Sequence, residues 1–346
     1  MESNVSNKEN TTMRPKVSII VPVYNAGKHL YRCLDTLVNQ TLKEIEIILI
    51  LDCPTDGSDA VAHTFAEKYK QIKLIHNETN LRVGLSRNKG LEAAEGEYIG
   101  FCDHDDFVSP IMFERLYHCA LKTDANIVMC DVNNVENETV VKTTRYPAGL
   151  TGKEYQERGL RVLLNFHPKK NNNFYRTVWN HLFKQSFLHE NKLQFEDNHV
   201  ITSDDSLFVT KAYFLTDKMT YCESPDSGFY NHVDHPSNAL NSYSFINIEL
   251  VLNYINKLDE FLKGRTDAHP YDYDIAEGTI RHLYTGFLRE LQFKGLWATL
   301  HKLKVAKKNS AVYNAIKLLW TAKGFKYAIK ELPPTKFLFL CILSCS

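Results

Sequence analysis

The sequence lacks the features of several protein classes. Its 346 residues carry 41 basic and 41 acidic side chains, so no overall positive charge points to nucleic acid. Its eight cysteines are scattered and include no Cys-x-x-Cys pair, which argues against zinc and favours a reducing, cytoplasmic compartment. No run reaches the ~18 apolar residues of a transmembrane helix. These absences leave a globular chain with one large domain or two.

The two ends of the chain differ from its middle. Residues 1–14 are polar and lack the apolar stretch of a signal peptide, so we expect this segment to be disordered. Residues 337–343 are strongly apolar but short, and a basic, aromatic stretch precedes them at 317–330. This tail is expected either to dock on its own domain or to contact the inner face of the cell membrane.

Strands and helices alternate between residues 17 and 130. The predicted strands are Val17–Val23, Ile45–Leu51, Ile72–Ile75, Tyr98–Phe101 and Ile127–Cys130. Apolar spacing predicts helices between them at 27–40, 58–69, 85–94 and 112–121. The alternation predicts an α/β fold, with a mostly parallel sheet flanked by helices. It breaks down after about residue 150, and residues 241–346 are predicted to be helical.

Three carboxylates, those of Asp103, Asp105 and Asp106, follow the fourth predicted strand. Like charges this close repel each other, and a bound Mg²⁺ or Mn²⁺ would neutralise them. The alternative is a solvated turn in which Asp106 lies at a helix N-terminus. Tyr24 and Asp52 also follow strand ends, and parallel sheets bind ligands beyond the carboxyl ends of their strands. The sequence therefore predicts one site at this edge.

Five motifs occur in a characteristic order. They are VSIIVPVYN (17–25), DCPTDGS (52–58), GLSRNKGLEAAEGEYI (84–99), FCDHDDFVSP (101–110) and SDDSLF (203–208). Together they resemble the family 2 glycosyltransferases with the GT-A fold, over roughly residues 16–235. The resemblance implies a Rossmann-like GT-A domain at 15–240, followed by a C-terminal helical region at 241–346. One departure from the commoner DDGS form is Cys53-Pro54, which alters the loop backbone but leaves the matching Asp52 in place.

The resemblance also implies a reaction. An inverting glycosyltransferase moves a sugar from a nucleotide sugar, here expected to be a UDP-sugar, to a hydroxyl group. The acceptor would be a glycan or a lipid-linked glycan of bacterial surface polysaccharide synthesis, an expectation that rests on analogy alone. The expected cofactor is Mn²⁺ or Mg²⁺.

On the nucleotide side, the resemblance assigns Pro22, Tyr24, Asp52, Arg87 and Asp103. The Tyr24 ring would stack on the uracil beside Pro22, unless it packs under a turn. Asp52 would accept the base N–H, with an Asx-turn to Thr55 as the alternative. Arg87 would contact phosphate or base, with a surface ion pair to Glu92 as the alternative.

On the chemical side, the resemblance makes Asp105 the metal ligand and Asp205 the catalytic base. Asp103 would assist the ribose or the metal, and Asp106 would be structural, as a helix cap. The neighbouring Asp204 would raise the pKa of Asp205 by repulsion. The alternative for Asp205 is an N-cap of a helix over 206–214.

Three further residues keep more than one interpretation. His232 and His235 lie where relatives carry a basic segment over the diphosphate, so either could bind phosphate, complete a metal shell, or do neither. Trp179 could stack on a sugar or pack in the core.

Two other functions stay open. A sugar nucleotidyltransferase would carry a glycine-rich loop after the first strand, where this chain has only Gly27. A non-catalytic nucleotide-sugar binder would not need Asp205.

Overall fold

The computed structural model describes residues 14–165, 174–225, 227–233, 247–332 and 334–345. His235 and all but the last residue of the segment predicted to be disordered lie outside the described residues.

Two sheets form the first part of the fold. The strands are β1 (Val17–Val23), β2 (Ile45–Leu51), β3 (Ile72–His76), β4 (Tyr98–Phe101), β5 (Phe107–Val108), β6 (Ile127–Cys130), β7 (Val132–Glu136), β8 (Thr139–Thr144), β9 (His181–Lys184), β10 (Met219–Cys222) and β11 (Tyr230–Val233). The larger sheet has the order β10-β6-β9-β4-β1-β2-β3. Only β9 runs antiparallel to its neighbours, so the predicted α/β fold with a mostly parallel sheet is confirmed.

Helices cover both faces of this sheet. They are α1 (His29–Val38), α2 (Ser58–Lys68), α3 (Arg82–Ala93), α4 (Met112–Thr123), α5 (Gly152–Asn165), α6 (Gln185–Glu190) and α7 (Asp204–Leu215). All seven residues of β1 and of β2 are buried, because both faces of these strands are covered. This explains why their sequences are mostly apolar and rich in β-branched residues, with Ser18 and Glu46 as the polar exceptions.

The smaller sheet was not predicted. Its strand order is β5-β11-β7-β8. The sequences of β7 and β8 contain many polar residues, so they lack the apolar alternation by which a strand is recognised in a sequence. Tyr230 pairs with Val108 in the antiparallel ladder between β11 and β5. Because β5 directly follows the acidic triplet, this pairing brings β11 against the candidate site.

The last part of the chain is helical, as predicted. Its helices are α8 (Ile248–Leu262), α9 (Asp272–Lys294), α10 (Leu296–Lys307), α11 (Ser310–Leu319), α12 (Ala322–Glu331) and α13 (Pro334–Cys345), with a short 3-10 turn at Thr266–Tyr271. The long helix α9 packs on α5 and on α8, α10 and α11. The division at residue 240 into two domains stays a prediction.

The apolar tail docks on its own helices. Phe339, Leu340 and Leu343 of α13 are buried, and the Phe339 ring lies 5.2 Å from Tyr284 and 5.0 Å from Phe287 of α9. Within the described ranges, no helix combines the length and the apolar character needed to cross a bilayer. The inward side of α13 therefore packs against its own domain, which is one of the two possibilities predicted for the tail.

A glycine allows α9 to approach α5 closely. A Cβ atom on Gly278 would overlap the backbone carbonyl oxygen of Leu164. We expect Gly278→Ala to lower the free energy of unfolding by about 1–3 kcal/mol, because backbone cannot move aside as a side chain can. Urea denaturation measures this change. The matched control is Gly286→Ala in the same helix, where the nearest atom is the movable Val251 Cγ2 at 3.1 Å; an equal loss there would contradict the explanation.

Candidate active site

Asp52 is a buried carboxylate at the carboxyl end of β2. Its Oδ1 accepts hydrogen bonds from the Leu81 backbone N–H at 2.7 Å and from Asn77 Nδ2 at 2.8 Å. The alternative of an Asx-turn to Thr55 is wrong, because the Thr55 N–H donates to Asn25 Oδ1 instead, at 2.7 Å. The residues that orient Asp52 come from the loop after β3, and the motifs gave no sign of them.

Tyr24 follows β1 with its side chain in solvent. The residue is 47% exposed, so packing under a turn is excluded. Pro22 is buried within β1, and its carbonyl oxygen lies 3.0 Å from His104 Nδ1. The Gly27 N–H donates to Asp56 Oδ2 at 2.7 Å, which joins the loops after β1 and β2. These loops hold an exposed aromatic ring near a buried carboxylate.

Asp106 is fully buried and secures β11. It accepts hydrogen bonds from the Tyr230 hydroxyl and the Val233 N–H, both at 2.7 Å, and His232 Nδ1 lies 3.2 Å away. The prediction that Asp106 caps a helix is wrong, because α4 begins only at Met112. Its structural character is evident nonetheless. Burial raises the pKa of Asp106 to about 6, and His232 opposes that shift.

The Tyr230 hydroxyl has a second contact in the acidic loop. It accepts a hydrogen bond from the Asp103 N–H at 3.1 Å while donating to Asp106. Trp179 stacks on Tyr230 at 4.4 Å and on His232 at 5.4 Å between ring centroids, and it is buried. Core packing is therefore the observed role of Trp179. Tyr230 itself was missed, since a single tyrosine in a short strand carries no motif.

Arg87 is 2% exposed and lies among three carboxylates. Its Nη2 is 2.9 Å from Asp103 Oδ1, its Nη1 forms a very short ion pair with Asp205 Oδ1, and Asp204 Oδ2 is 3.6 Å from Nη1. The alternative of a surface ion pair with Glu92 is therefore wrong. One guanidinium joins α3, the acidic loop and the start of α7.

Asp204 and Asp205 form the first turn of α7, where the helix dipole favours carboxylates. The helix begins at Asp204 after Ser203, so Asp205 is not its N-cap. Asn198 Nδ2 donates to Asp204 Oδ1 at 2.5 Å and so fixes the first carboxylate. Burial raises the pKa of Asp205 to about 8, against the opposing charge of Arg87. Repulsion from Asp204 acts in the predicted direction but is a smaller cause than burial.

Asp105 differs from both of its acidic neighbours. It is partly exposed, and within the described residues its side chain forms no hydrogen bond or ion pair. Among the described residues, no group of three His, Cys, Asp or Glu side chains is arranged to hold a metal ion by itself. Mg²⁺ is commonly held by one or two carboxylates plus substrate phosphates and water. The residues present thus fit a divalent cation that binds together with a diphosphate.

A family model decides the class of protein. The model described as Glycosyl transferase family 2 matches residues 18–192, just over half of the chain. The chain belongs to the family 2 glycosyltransferases. The matched span contains the assigned nucleotide and metal residues of this family 2 glycosyltransferase, whereas the proposed base Asp205 lies 13 residues beyond it.

Individual proteins agree with this assignment. The chain is 29% identical to the putative glycosyltransferase EpsH of Bacillus subtilis over 84% of this chain and 81% of EpsH. It is 31% identical to the cholesterol galactosyltransferase of Borreliella burgdorferi over 72% of this chain and 69% of that protein. The crystal structure of S. aureus TarS 1-349 with UDP-GlcNAc superposes with a TM-score of 0.64, at 20% identity, over 87% of this chain and 79% of that one. The last comparison establishes the GT-A fold.

The buried arginine of this glycosyltransferase gives a stability prediction. We expect Arg87→Met to lower the free energy of unfolding by about 3–5 kcal/mol, because it leaves three carboxylates without their counter-charge. Adding Asp205→Asn should recover part of the loss, since it removes one of those charges. Denaturant titration measures both changes.

The matched control is Arg145→Met, which breaks an exposed ion pair with Glu223 and should cost below about 1 kcal/mol. Equal losses for the two arginines would contradict the importance of the buried cluster.

Proposed function

We propose that this family 2 glycosyltransferase transfers a sugar from a UDP-sugar to an acceptor hydroxyl with inversion at the anomeric carbon. The observation that carries the proposal is the position of Arg87, which contacts Asp103 on the nucleotide side and Asp205 on the base side. The proposed base Asp205 and the proposed nucleotide-binding residue Asp103 therefore both contact the same guanidinium group.

The nucleotide side suits a uridine. The exposed Tyr24 ring can stack on the base beside Pro22. The Asp52 carboxylate, oriented through Oδ1 by Leu81 and Asn77, can accept the uracil N–H through its other oxygen. Asp103 would receive the ribose hydroxyls. The UDP-GlcNAc named in the TarS complex supports a uridine nucleotide sugar here.

The chemical side suits a single displacement. The acceptor hydroxyl attacks the anomeric carbon, its proton passes to Asp205, and the bond to the diphosphate oxygen breaks. Burial makes Asp205 a stronger base than an ordinary aspartate, because it raises the pKa to about 8. Arg87 favours the ionised form that the base requires and fixes its position. In this proposal Arg87 orients the base rather than binding phosphate.

Asp105 is the protein ligand that we assign to Mn²⁺ or Mg²⁺. When bound, the metal supplies positive charge to the leaving diphosphate. Asp105 suits the role because its neighbours are already engaged, Asp103 by Arg87 and Asp106 by Tyr230.

The proposed acceptor is a hydroxyl of a glycan or of a lipid-linked glycan in bacterial surface polysaccharide synthesis. Two relatives support this class by their names, a cholesterol galactosyltransferase and a poly(ribitol-phosphate) beta-glucosyltransferase, since both act on hydroxyl-bearing acceptors of lipid or polymer type. The seven free cysteines among the described residues support a reducing, cytoplasmic location.

Asp105→Ala tests the metal assignment. In the presence of Mn²⁺ we expect it to weaken UDP binding by about tenfold or more and to abolish the metal dependence of binding. Isothermal titration calorimetry with and without Mn²⁺ measures this. The matched control is Asp59→Ala on the exposed side of α2, which should bind as the wild type does. Metal-dependent binding that survives Asp105→Ala would exclude this ligand.

Asp205→Asn tests the base. We expect turnover of a UDP-sugar to fall by about 10²- to 10⁴-fold while UDP affinity stays within about threefold. Release of UDP from a panel of UDP-sugars measures turnover, and calorimetry measures affinity. The exposed Asp217→Asn is the matched control and should keep full turnover.

Three results would separate the alternatives. Unchanged turnover in Asp205→Asn would exclude this residue as the base. UDP binding without turnover in the wild type would indicate a non-catalytic binder. Formation of a UDP-sugar from UTP and a sugar phosphate would indicate a nucleotidyltransferase.

A further inference from the structure

The last helices of the chain carry a strong positive charge. Residues 294–346 contain ten lysines and one acidic residue, Glu331, although the whole chain is formally neutral. The rest of the chain is therefore acidic by the same amount. Such segregation of charge is not needed for packing, and it orients the molecule towards a negatively charged surface.

The outward side of α10 shows how this charge is arranged. Trp297, Lys304 and Lys308 recur at spacings of seven and four residues, which places them on one side of the helix. Trp297 is 83% exposed, and both lysines are exposed as well. A tryptophan this exposed contributes little to the core. Its large amphipathic ring suits the boundary between water and lipid.

Helix α11 repeats the pattern. Tyr313, Lys317 and Trp320 lie on its outward side at spacings of four and three residues, and all three are exposed. On α12, Phe325 and Lys326 are exposed in turn. Across these helices, aromatic rings alternate with lysines instead of forming a separate apolar patch.

Contacts at the helix ends connect these helices to one another. The Trp320 ring stacks on Phe325 at 5.4 Å, and its indole N–H donates to the Ser344 hydroxyl of α13. Lys307 Nζ, at the end of α10, donates to the Ser344 carbonyl at 3.3 Å. Leu338 and Ile342, four residues apart on α13, are exposed while the opposite side of that helix is buried.

We propose that the outward side of α10–α13 binds the surface of an anionic lipid bilayer. Four of its lysines, Lys304, Lys308, Lys317 and Lys326, are exposed and form no ion pair within the described residues. They are thus available for lipid phosphates, while the aromatic rings enter the headgroup region. This surface replaces the apolar tail as the membrane contact, because the apolar side of α13 is occupied by packing on α9.

Vesicle co-sedimentation of the full chain tests the proposal. We expect binding to phosphatidylcholine vesicles that contain phosphatidylglycerol, and little binding to phosphatidylcholine alone. Replacing Lys304, Lys308, Lys317 and Lys326 by glutamine should weaken binding by about 100-fold or more. High salt should weaken wild-type binding in the same direction, because it screens the lysines.

The matched control replaces four exposed lysines outside this surface by glutamine: Lys70, Lys142, Lys153 and Lys263. This variant has the same net charge as the first and should bind vesicles as the wild type does. A separate Trp297→Ser variant should weaken binding several-fold and reduce the blue shift of tryptophan emission on anionic vesicles. Circular dichroism and UDP binding should be unchanged in all three variants.

Three outcomes would overturn the proposal. They are absence of wild-type binding to anionic vesicles, equal loss in the two quadruple variants, and concentration-dependent self-association in lipid-free solution that Trp297→Ser abolishes. The last would assign the surface to a second copy of the chain. No sugar donor is present in these measurements, so their failure would leave the proposed transfer reaction untouched.

Discussion

The buried guanidinium of Arg87 is the interaction on which the site depends. A charge this deeply buried is costly unless it is paired, and three carboxylates around it would repel one another without it. The group contacts Asp103 and Asp205, which lie 16 and 118 residues away along the chain. Its electrostatic requirement therefore fixes the distance between the acidic loop and α7. In the proposed reaction these two elements carry the nucleotide-binding loop and the base.

A second clamp divides the acidic triplet into separate roles. Asp106 is held by Tyr230 and by the Val233 backbone, and Asp103 is held by Arg87. Only Asp105 is left with its carboxylate partly exposed and unpaired within the described residues. The repulsion among the three carboxylates is thus reduced by a different neighbour for each: the Arg87 cation for Asp103, buried hydrogen bonds for Asp106, and solvent for Asp105. In the proposed site, a metal ion takes the place of the solvent around Asp105.

The C-terminal helices serve two opposite surfaces. Their inward side completes the core, with α9 close enough to α5 that Gly278 admits no Cβ. Their outward side collects lysines and aromatic rings that contribute little to that packing. Packing and the proposed membrane contact can therefore share one short run of helices, because helical periodicity separates the two sets of side chains.

The sequence by itself determined the elements and the site's edge. The bounds of β1, β2, β4 and β6 were predicted to the residue, because short apolar runs between turns reflect strands that are buried on both faces. Tyr24, Asp52 and Asp103 were assigned to one sheet edge, because alternating strands and helices form a parallel sheet whose strands all end at the same edge. The family followed from motif order. Helix bounds were less accurate, since helix ends depend on individual caps.

Only the tertiary structure decided which groups pair. The sequence offered Glu92 as an alternative partner of Arg87 and predicted a helix cap for Asp106, because sequence patterns report only neighbours along the chain. The true partner of Asp106 is Tyr230, 124 residues away, on a strand too short and polar to be predicted. Such pairs form because the fold first brings distant segments together, and burial then forces each charge to find its counterpart.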